Sequence, residues 1–437
     1  MSHKFIRGRT AVAIAGSIEQ AVHDGRLAPG DSLPPVRRLA VQLGLSPVTV
    51  SAAYRLLSTR GLAAGAGRLG TRVAPRPPSP ASRLAVRTPS PLVDLATGNP
   101  DPALLPPLAA ALRSLDAGLH LYGEPAELPA LIAFLRHEFE ADGIDASSVT
   151  VVGGGLDGIE RVLNEHLRPG DTVAVEDPCF PAILDLLAAD GLRRQPVAVD
   201  DAGPLAPALD DALKRARAVV ITPRAQNPFG GALTDERASE LRRVLKRHPD
   251  VLLIENDPLS AVSGAPPRTL SEGGSRRWAV VRSTSKFLGP DLRLAAVAGD
   301  ALTIARVEGR QALGTRWVST ILQRLALALW SDPSSGRLLA RAGEVYAHRR
   351  RSLLKALAAQ GIAAFGHSGF NVWIPVREEA AVVQALSEKG WAVTAGERFR
   401  LRTAAAIRVT AATLEPDAAQ RFARDLRDAL APVAGLA

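Results

Sequence analysis

Ser283-Thr284-Ser285-Lys286-Phe287-Leu288-Gly289-Pro290-Asp291-Leu292-Arg293 is the stretch on which the reading of this chain turns. The run before it, Ala279–Arg282, is mostly apolar and reads as a buried strand, so Lys286 falls in the turn that follows. Ser283 and Ser285 stand just ahead of the lysine, and Arg293 stands seven residues after it. An amine so placed can form a Schiff base with an aldehyde, while the hydroxyls and the guanidinium suit a phosphate dianion. A lone lysine in a loop would read as solvated surface. In this company it suits a phosphorylated aldehyde cofactor.

Outward from this segment, strand-like runs (Val149–Val152, Thr172–Val175, Ala218–Thr222, Val251–Ile254, Ala279–Arg282) alternate with amphipathic helical stretches. That alternation predicts an α/β domain with a mainly parallel sheet. The last 130 or so residues read as more helical, so we expect a small subdomain over 92–117 and 301–437 and a large one over 118–300. Ahead of them, residues 75–91 hold six prolines and no apolar periodicity, which predicts an extended, stiff linker. Residues 1–74 form a separate module.

The charge is unevenly placed. Residues 1–74 carry ten Lys/Arg against Glu19, Asp24 and Asp31, a net of +7, and Arg76, Arg83 and Arg87 bring the first 91 residues to +10. The chain as a whole is +9, so the remainder is close to neutral. A basic front end on a neutral body points to a polyanionic partner. Within it, Val12, Ala15, Ile18 and Val22 recur at helical spacing. Val36, Leu39, Ala40 and Leu43 form a second apolar face that stops at Gly44. Ser46-Pro47 then supplies an N-cap and a first-turn proline for a third helix buried through Val50, Ala53, Tyr54 and Leu57. Two short helices around a tight turn make a helix-turn-helix, and Gly65-Ala66-Gly67-Arg68-Leu69-Gly70 reads as the tip of a β-wing.

These residues also carry a family resemblance. Gly25-Arg26-Leu27-Ala28-Pro29-Gly30, Leu33-Pro34-x-x-Arg37-x-Leu39-Ala40 and Leu45-Ser46-x-x-Thr49-Val50 together resemble the winged helix of the GntR family. The resemblance implies that Arg37, Ser46, Thr49 and Arg68 contact DNA. Pro47 stands where many relatives have a base-reading arginine, which implies a different operator sequence.

The Ser-x-Ser-Lys-x-x-x-Pro-x-Leu-Arg segment resembles the active-site signature of fold-type I aminotransferases, which implies pyridoxal 5'-phosphate bound through Lys286. Further segments fall in that family's order. Tyr122-Gly123-Glu124-Pro125 resembles the one whose tyrosine reaches a neighbouring subunit's phosphate. Gly153, Gly154 and Gly155 join a strand to a helix and would cradle the phosphate with backbone N–H groups. The resemblance makes Phe180 the ring-stacking residue and Asn227, in Asn227-Pro228-Phe229-Gly230, the partner of the phenolic oxygen. It makes Arg408 the grip for a ligand carboxylate; a structural ion pair is the competing reading of that arginine.

One stretch departs from the enzymes. In Glu255-Asn256-Asp257-Pro258-Leu259, Asn256 occupies the place of the aspartate that keeps the pyridine nitrogen protonated, and Leu259 that of a tyrosine. A one-residue shift would give the nitrogen to Asp257, so both remain candidates. The change weakens the ring as an electron sink more than it weakens cofactor binding.

Winged helix, linker and aminotransferase-like domain together resemble the MocR-type regulators of the GntR family. That implies a homodimer, commonly head-to-tail, whose DNA binding responds to the cofactor or to an amine or amino acid, in genes of vitamin B6 or amine metabolism. The readings that compete with it are an aminotransferase with an autoregulatory DNA-binding module and a DNA-binding protein whose large domain is only a dimerisation scaffold. Composition narrows the rest. One cysteine leaves no internal disulfide framework, eight scattered histidines make no metal-ligand spacing, and no apolar run is long enough to span a membrane. We therefore expect a cytoplasmic protein without a metal site.

Overall fold

The computed structural model describes residues 5–24, 26–28, 30–59, 62–65, 70–73, 92–116 and 118–431, in two compact units, a small N-terminal one and a large one. The proposed linker 75–91 and the wing residue Arg68 lie outside the described residues.

The small unit has helices α1 (Ala11–His23), α2 (Val36–Leu43) and α3 (Pro47–Thr59), then the antiparallel pair β1 (Ala63–Gly65) and β2 (Thr71–Val73). Ile14, Ile18, Leu39, Val50, Ala53 and Leu57 close its core. The turn between α2 and α3 forms as the sequence dictates. Gly44 ends α2 with φ +64°, a conformation that costs other residues about 1 kcal/mol or more, and the Ser46 hydroxyl accepts the Val48 N–H at 3.2 Å. The Tyr54 hydroxyl donates to the Pro34 carbonyl at 2.6 Å and so ties α3 to the entry of α2. The outcome is a helix-turn-helix followed by a two-stranded wing.

The large unit adds β3 (Val93–Asp94), β4 (Val149–Val152), β5 (Thr172–Asp177), β6 (Arg193–Asp200), β7 (Gly203–Pro204), β8 (Ala218–Ile221), β9 (Leu252–Asp257), β10 (Trp278–Ser283) and β11 (Ala295–Gly299). Strands β12 (Asn371–Pro375), β13 (Trp391–Ala392), β14 (Thr394–Ala395) and β15 (Ala406–Thr410) follow. Eight of them form one sheet in the order β4-β11-β10-β9-β8-β5-β6-β7. The central β10-β9-β8-β5 run is parallel, and β11 runs against both of its neighbours. All four central strands are almost wholly buried, which is why they read as continuous apolar runs rather than alternating ones.

The helix Gly155–His166 buries Ile159, Val162 and Leu163 on this sheet. It comes unusually close. A Cβ at Gly158 would meet Val152, Val281 and Val297 at 3.1 to 3.3 Å, so glycine lets the helix seat its first turn beside the ends of β4 and β10.

The core divides later than the sequence suggested. The helices Ala301–Leu313 and Thr320–Ser331 pack with the large subdomain, and so do Leu339, Ala342 and Tyr346 of the long helix Pro333–Ala359. The small-subdomain core takes in Leu353 and Leu357 of that same helix, with Leu95, β12, β15 and the helix Pro416–Leu430. One 27-residue helix thus serves both cores, and helical content alone could not show where it changes sides.

Candidate functional site

The carboxyl ends of parallel strands in an open α/β sheet are where backbone groups are left free for a ligand. Here β9 and β10 end together, in a register that sets Asn256 beside Val281 and Asp257 beside Arg282. Lys286 follows three residues after the end of β10. Its Nζ donates to the Gly98 carbonyl at 2.7 Å. Burial, and then the nearby Arg408 guanidinium, pull its pKa down to about 8. More free amine is therefore present near neutrality than an ordinary lysine offers, as a Schiff-base lysine requires.

Around the lysine the structure gathers most of the residues expected from sequence. The Ser285 N–H donates to Ser283 Oγ at 3.3 Å, and the two hydroxyls lie 3.0 Å apart. Arg293, held at φ +45°, donates from Nη2 to the Gly153 carbonyl at 3.2 Å. A Cβ at Gly154 would stand 2.7 Å from that same Nη2, and one at Gly155 would stand 3.2 Å from Ser283 Cβ. Glycines, two hydroxyls, a guanidinium and a helix N-terminus thus stand together, and they have the chemistry a phosphate needs. The residues present fit pyridoxal phosphate.

One acid intrudes on the cradle. Asp157 Oδ2 accepts the Gly153 N–H at 2.8 Å, but Arg161 pairs with it at 2.9 Å and offsets its charge.

Asn256 and Asp257 alternate across the strand and face opposite ways. The Asp257 carboxylate is bound by Arg224 at 2.7 Å and by Arg282 at 3.0 Å, and Asp142 joins both arginines from the other side. These two guanidinium groups hold Asp257 far below the usual carboxylate range despite its burial. The Asn256 side chain is buried and engages no hydrogen-bond partner among the described residues. Leu259 is buried, with no tyrosine in its place.

Arg408, on β15, reaches the same region. Its Nη1 lies 3.4 Å from Asn227 Oδ1, and its Nη2 donates to the Ala96 carbonyl and, at 3.2 Å, to Thr394 Oγ1. Its Nε is buried without a partner, and burial lowers the pKa to about 10. The Asp94 carboxylate acts on this guanidinium and partly offsets the effect of burial.

Three features here were not found from sequence. Gly98 supplies the carbonyl that holds Lys286; its φ is +69°, and a Cβ there would stand 3.2 Å from Arg408 Nη1. Asp177 clasps a distant loop, accepting the N–H groups of Leu401, Arg402 and Thr403 at 2.7 to 3.0 Å. Thr394 holds Arg408. Close by, the Cys179 N–H donates to the Phe399 carbonyl, and the Arg408 guanidinium sits over the Phe399 ring at 5.1 Å. The half-buried Phe180 is thereby placed next to the clasp. The sequence carried one faint signal, the Gly98-Asn99-Pro100 turn.

Tyr122 is not brought to this site within the chain. It is 79% exposed, its ring meets Trp317 edge-on at 5.5 Å, and Arg316 lies over it at 5.2 Å. In the small unit, Arg37 and Ser46 are exposed and Thr49 is half-buried.

Comparison with known proteins agrees with both halves. The family of aminotransferases class I and II matches residues 90–426, and the gntR family of bacterial regulatory proteins matches residues 10–73. The vitamin B6 salvage pathway transcriptional repressor PtsJ of Salmonella typhimurium is 40% identical over 428 residues, covering 97% of this chain and 99% of its own. The HTH-type transcriptional regulator TauR of Rhodobacter capsulatus is 29% identical over 400 residues, 81% of each chain. Among solved structures, a kynurenine aminotransferase of Pyrococcus horikoshii in complex with PMP superposes at TM-score 0.71 and 20% identity, over 78% of this chain and 91% of that one. The α-aminoadipate aminotransferase LysN of Thermus thermophilus, complexed with N-(5'-phosphopyridoxyl)-L-leucine, gives 0.70 and 22% over 80% and 94%.

Proposed function

The chain belongs to the MocR-type regulators, a GntR winged helix on an aminotransferase class I and II domain, and on that premise we propose that its large domain senses pyridoxal phosphate and passes the signal to DNA. It is a DNA-binding transcription regulator. Its target genes, on this reading, belong to vitamin B6 or amino-acid and amine metabolism, as the name of the 40%-identical repressor suggests.

The observation that carries the sensing role is a set of residues suited to capture the cofactor, combined with a weakened catalytic position at Asn256. Pyridoxal phosphate, when bound, supplies an aldehyde and a ring able to accept electrons. Gly154, Gly155, Ser283, Ser285 and Arg293 would hold its phosphate, the Gly153 N–H being donated to Asp157, and Lys286 would meet its aldehyde from its seat on the Gly98 carbonyl. Phe180 would cover the ring, and Asn227 would hydrogen-bond its oxygen. Asn256, not Asp257, faces the pyridine nitrogen on this reading, because Asp257 is committed to Arg224 and Arg282 on the other side of the strand. An amide carries no charge with which to keep that nitrogen protonated, so the ring withdraws electrons less. Arg408 remains available for the carboxylate of an amino-acid co-effector.

The working form on this reading is a homodimer, head-to-tail as in the family. Leu119, Leu121, Tyr122 and Leu313 are exposed apolar side chains, and a second copy would cover them. Tyr122 would then serve the partner's phosphate.

Borohydride reduction of the protein mixed with pyridoxal phosphate tests the capture site. The expected result is a single reduced adduct on the peptide carrying Lys286. A protein that takes no label would have a large domain that is only a scaffold. The intact Lys286, Asn227 and Arg408 set also favours a second reading, an aminotransferase that regulates itself, and sustained multiple turnover with an amino acid would establish it.

A further inference from the structure

The outer face of α3 carries an inference about how DNA is read. Val50, Ala53, Tyr54 and Leu57 fix the inner side of this helix, each 5% exposed or less. At 100° per residue, Val48 falls almost directly opposite that side, with Ala52 and Arg55 on the same outer line at i+4 and i+7. Val48 is 71% exposed. A single exposed valine is ordinary, but this one occupies the outermost line of the first turn of the second helix of a helix-turn-helix. In DNA-bound modules of this kind, that turn enters the major groove.

The groups beside it limit what the turn can recognise. Pro47 presents a ring and no donor, and Ala52 has no head group. The Ser46 hydroxyl accepts the Val48 N–H as the helix cap, and the half-buried Thr49 lies about 100° round the helix from Val48. The outer line therefore offers no hydrogen-bonding side chain before Arg55, two turns in. A guanine edge presents two acceptors to the major groove and rewards a donor; thymine alone presents a methyl group there.

We propose that Val48 packs against the C5-methyl of a thymine in the major groove, making it a sequence-determining residue of this regulator. The proposal rests on the DNA-binding role given above and goes beyond it in naming the base and the atom.

The test begins with selection of duplexes bound by the full-length protein from a random library. Each thymine of the resulting consensus is then replaced singly by deoxyuridine, which removes only the methyl. One replacement should weaken binding by wild-type protein roughly fourfold, the value of one buried methyl-sized group. The Val48→Ser protein should bind the two duplexes equally well. Val48 is exposed, so this variant should melt as the wild type does, and the thermal melt is recorded alongside. Binding by wild type that is indifferent to every replacement overturns the proposal, as does an undiminished methyl dependence in Val48→Ser. A selection that enriches no sequence would overturn the DNA-binding reading as well, which separates that failure from failure of the proposal alone.

Discussion

At the scale of single residues, the environment of Lys286 sets a pH window. Its amine is held near a pKa of about 8 by burial and by Arg408, below the ordinary 10.5 of lysine. Only the free amine attacks an aldehyde, so capture of pyridoxal phosphate should accelerate up to about pH 8 and then level off. Stopped-flow absorbance across pH 6–10 checks this, and Arg408→Ala should move the midpoint upward by removing the neighbouring positive charge. Glu176 behaves in the opposite sense. Burial pushes its pKa up to about 8, although the Thr222 and Gln226 N–H groups oppose the shift. The folded state thus holds a proton that the unfolded chain releases near its ordinary value of 4.5. Stability falls as pH rises from about 4.5 to 8 and is flat above that. Glu176→Gln should flatten this slope in urea melts. Lys286, Arg293 and the triple glycine were readable because their chemistry lies in short, ordered segments. Gly98 and Asp177 were not, because they act across 188 and more than 220 residues of intervening chain.

At the scale of elements, β5 is joined to the loop before β15 by the Asp177 clasp. Three backbone donors converge on one carboxylate, and the Thr403 hydroxyl adds a bond to the Asp177 carbonyl. Asp177→Ala leaves those donors without their acceptor, a loss of about 3 kcal/mol for charge-assisted bonds. Hydrogen exchange at residues 401–403 should accelerate on the order of a hundredfold while exchange in the central strands stays slow. Uniform acceleration throughout the domain would mean that the clasp supports the whole fold. Five strands of the large sheet were readable to within three residues, since runs such as Val149–Val152 are buried on both faces and flanked by turns; β6 and β11 were not. The subdomain boundary was not. The helix Pro333–Ala359 is amphipathic along its whole length, and only the packed structure shows Tyr346 in one core and Leu353 in the other.

At the scale of the whole molecule, the net +7 of residues 1–74 is set against a nearly neutral remainder. Operator affinity should therefore fall steeply with salt as phosphate contacts release counterions. Arg37→Ala should weaken binding to all sequences alike and reduce the slope of log affinity against log salt by about 1, if its guanidinium meets a phosphate. Filter binding at several salt concentrations measures both. The two-module organisation was readable from this charge contrast and the proline-rich residues 75–91, whereas the way one module informs the other left no mark in local sequence. The central claim, that cofactor capture at Lys286 changes DNA binding, is tested most directly by titrating a selected operator with wild-type and Lys286→Ala protein, each with and without pyridoxal phosphate. The wild-type affinity should shift with the cofactor, and that of the variant should not. Identical wild-type curves with and without pyridoxal phosphate, under conditions where borohydride shows Lys286 to be loaded, would contradict the account.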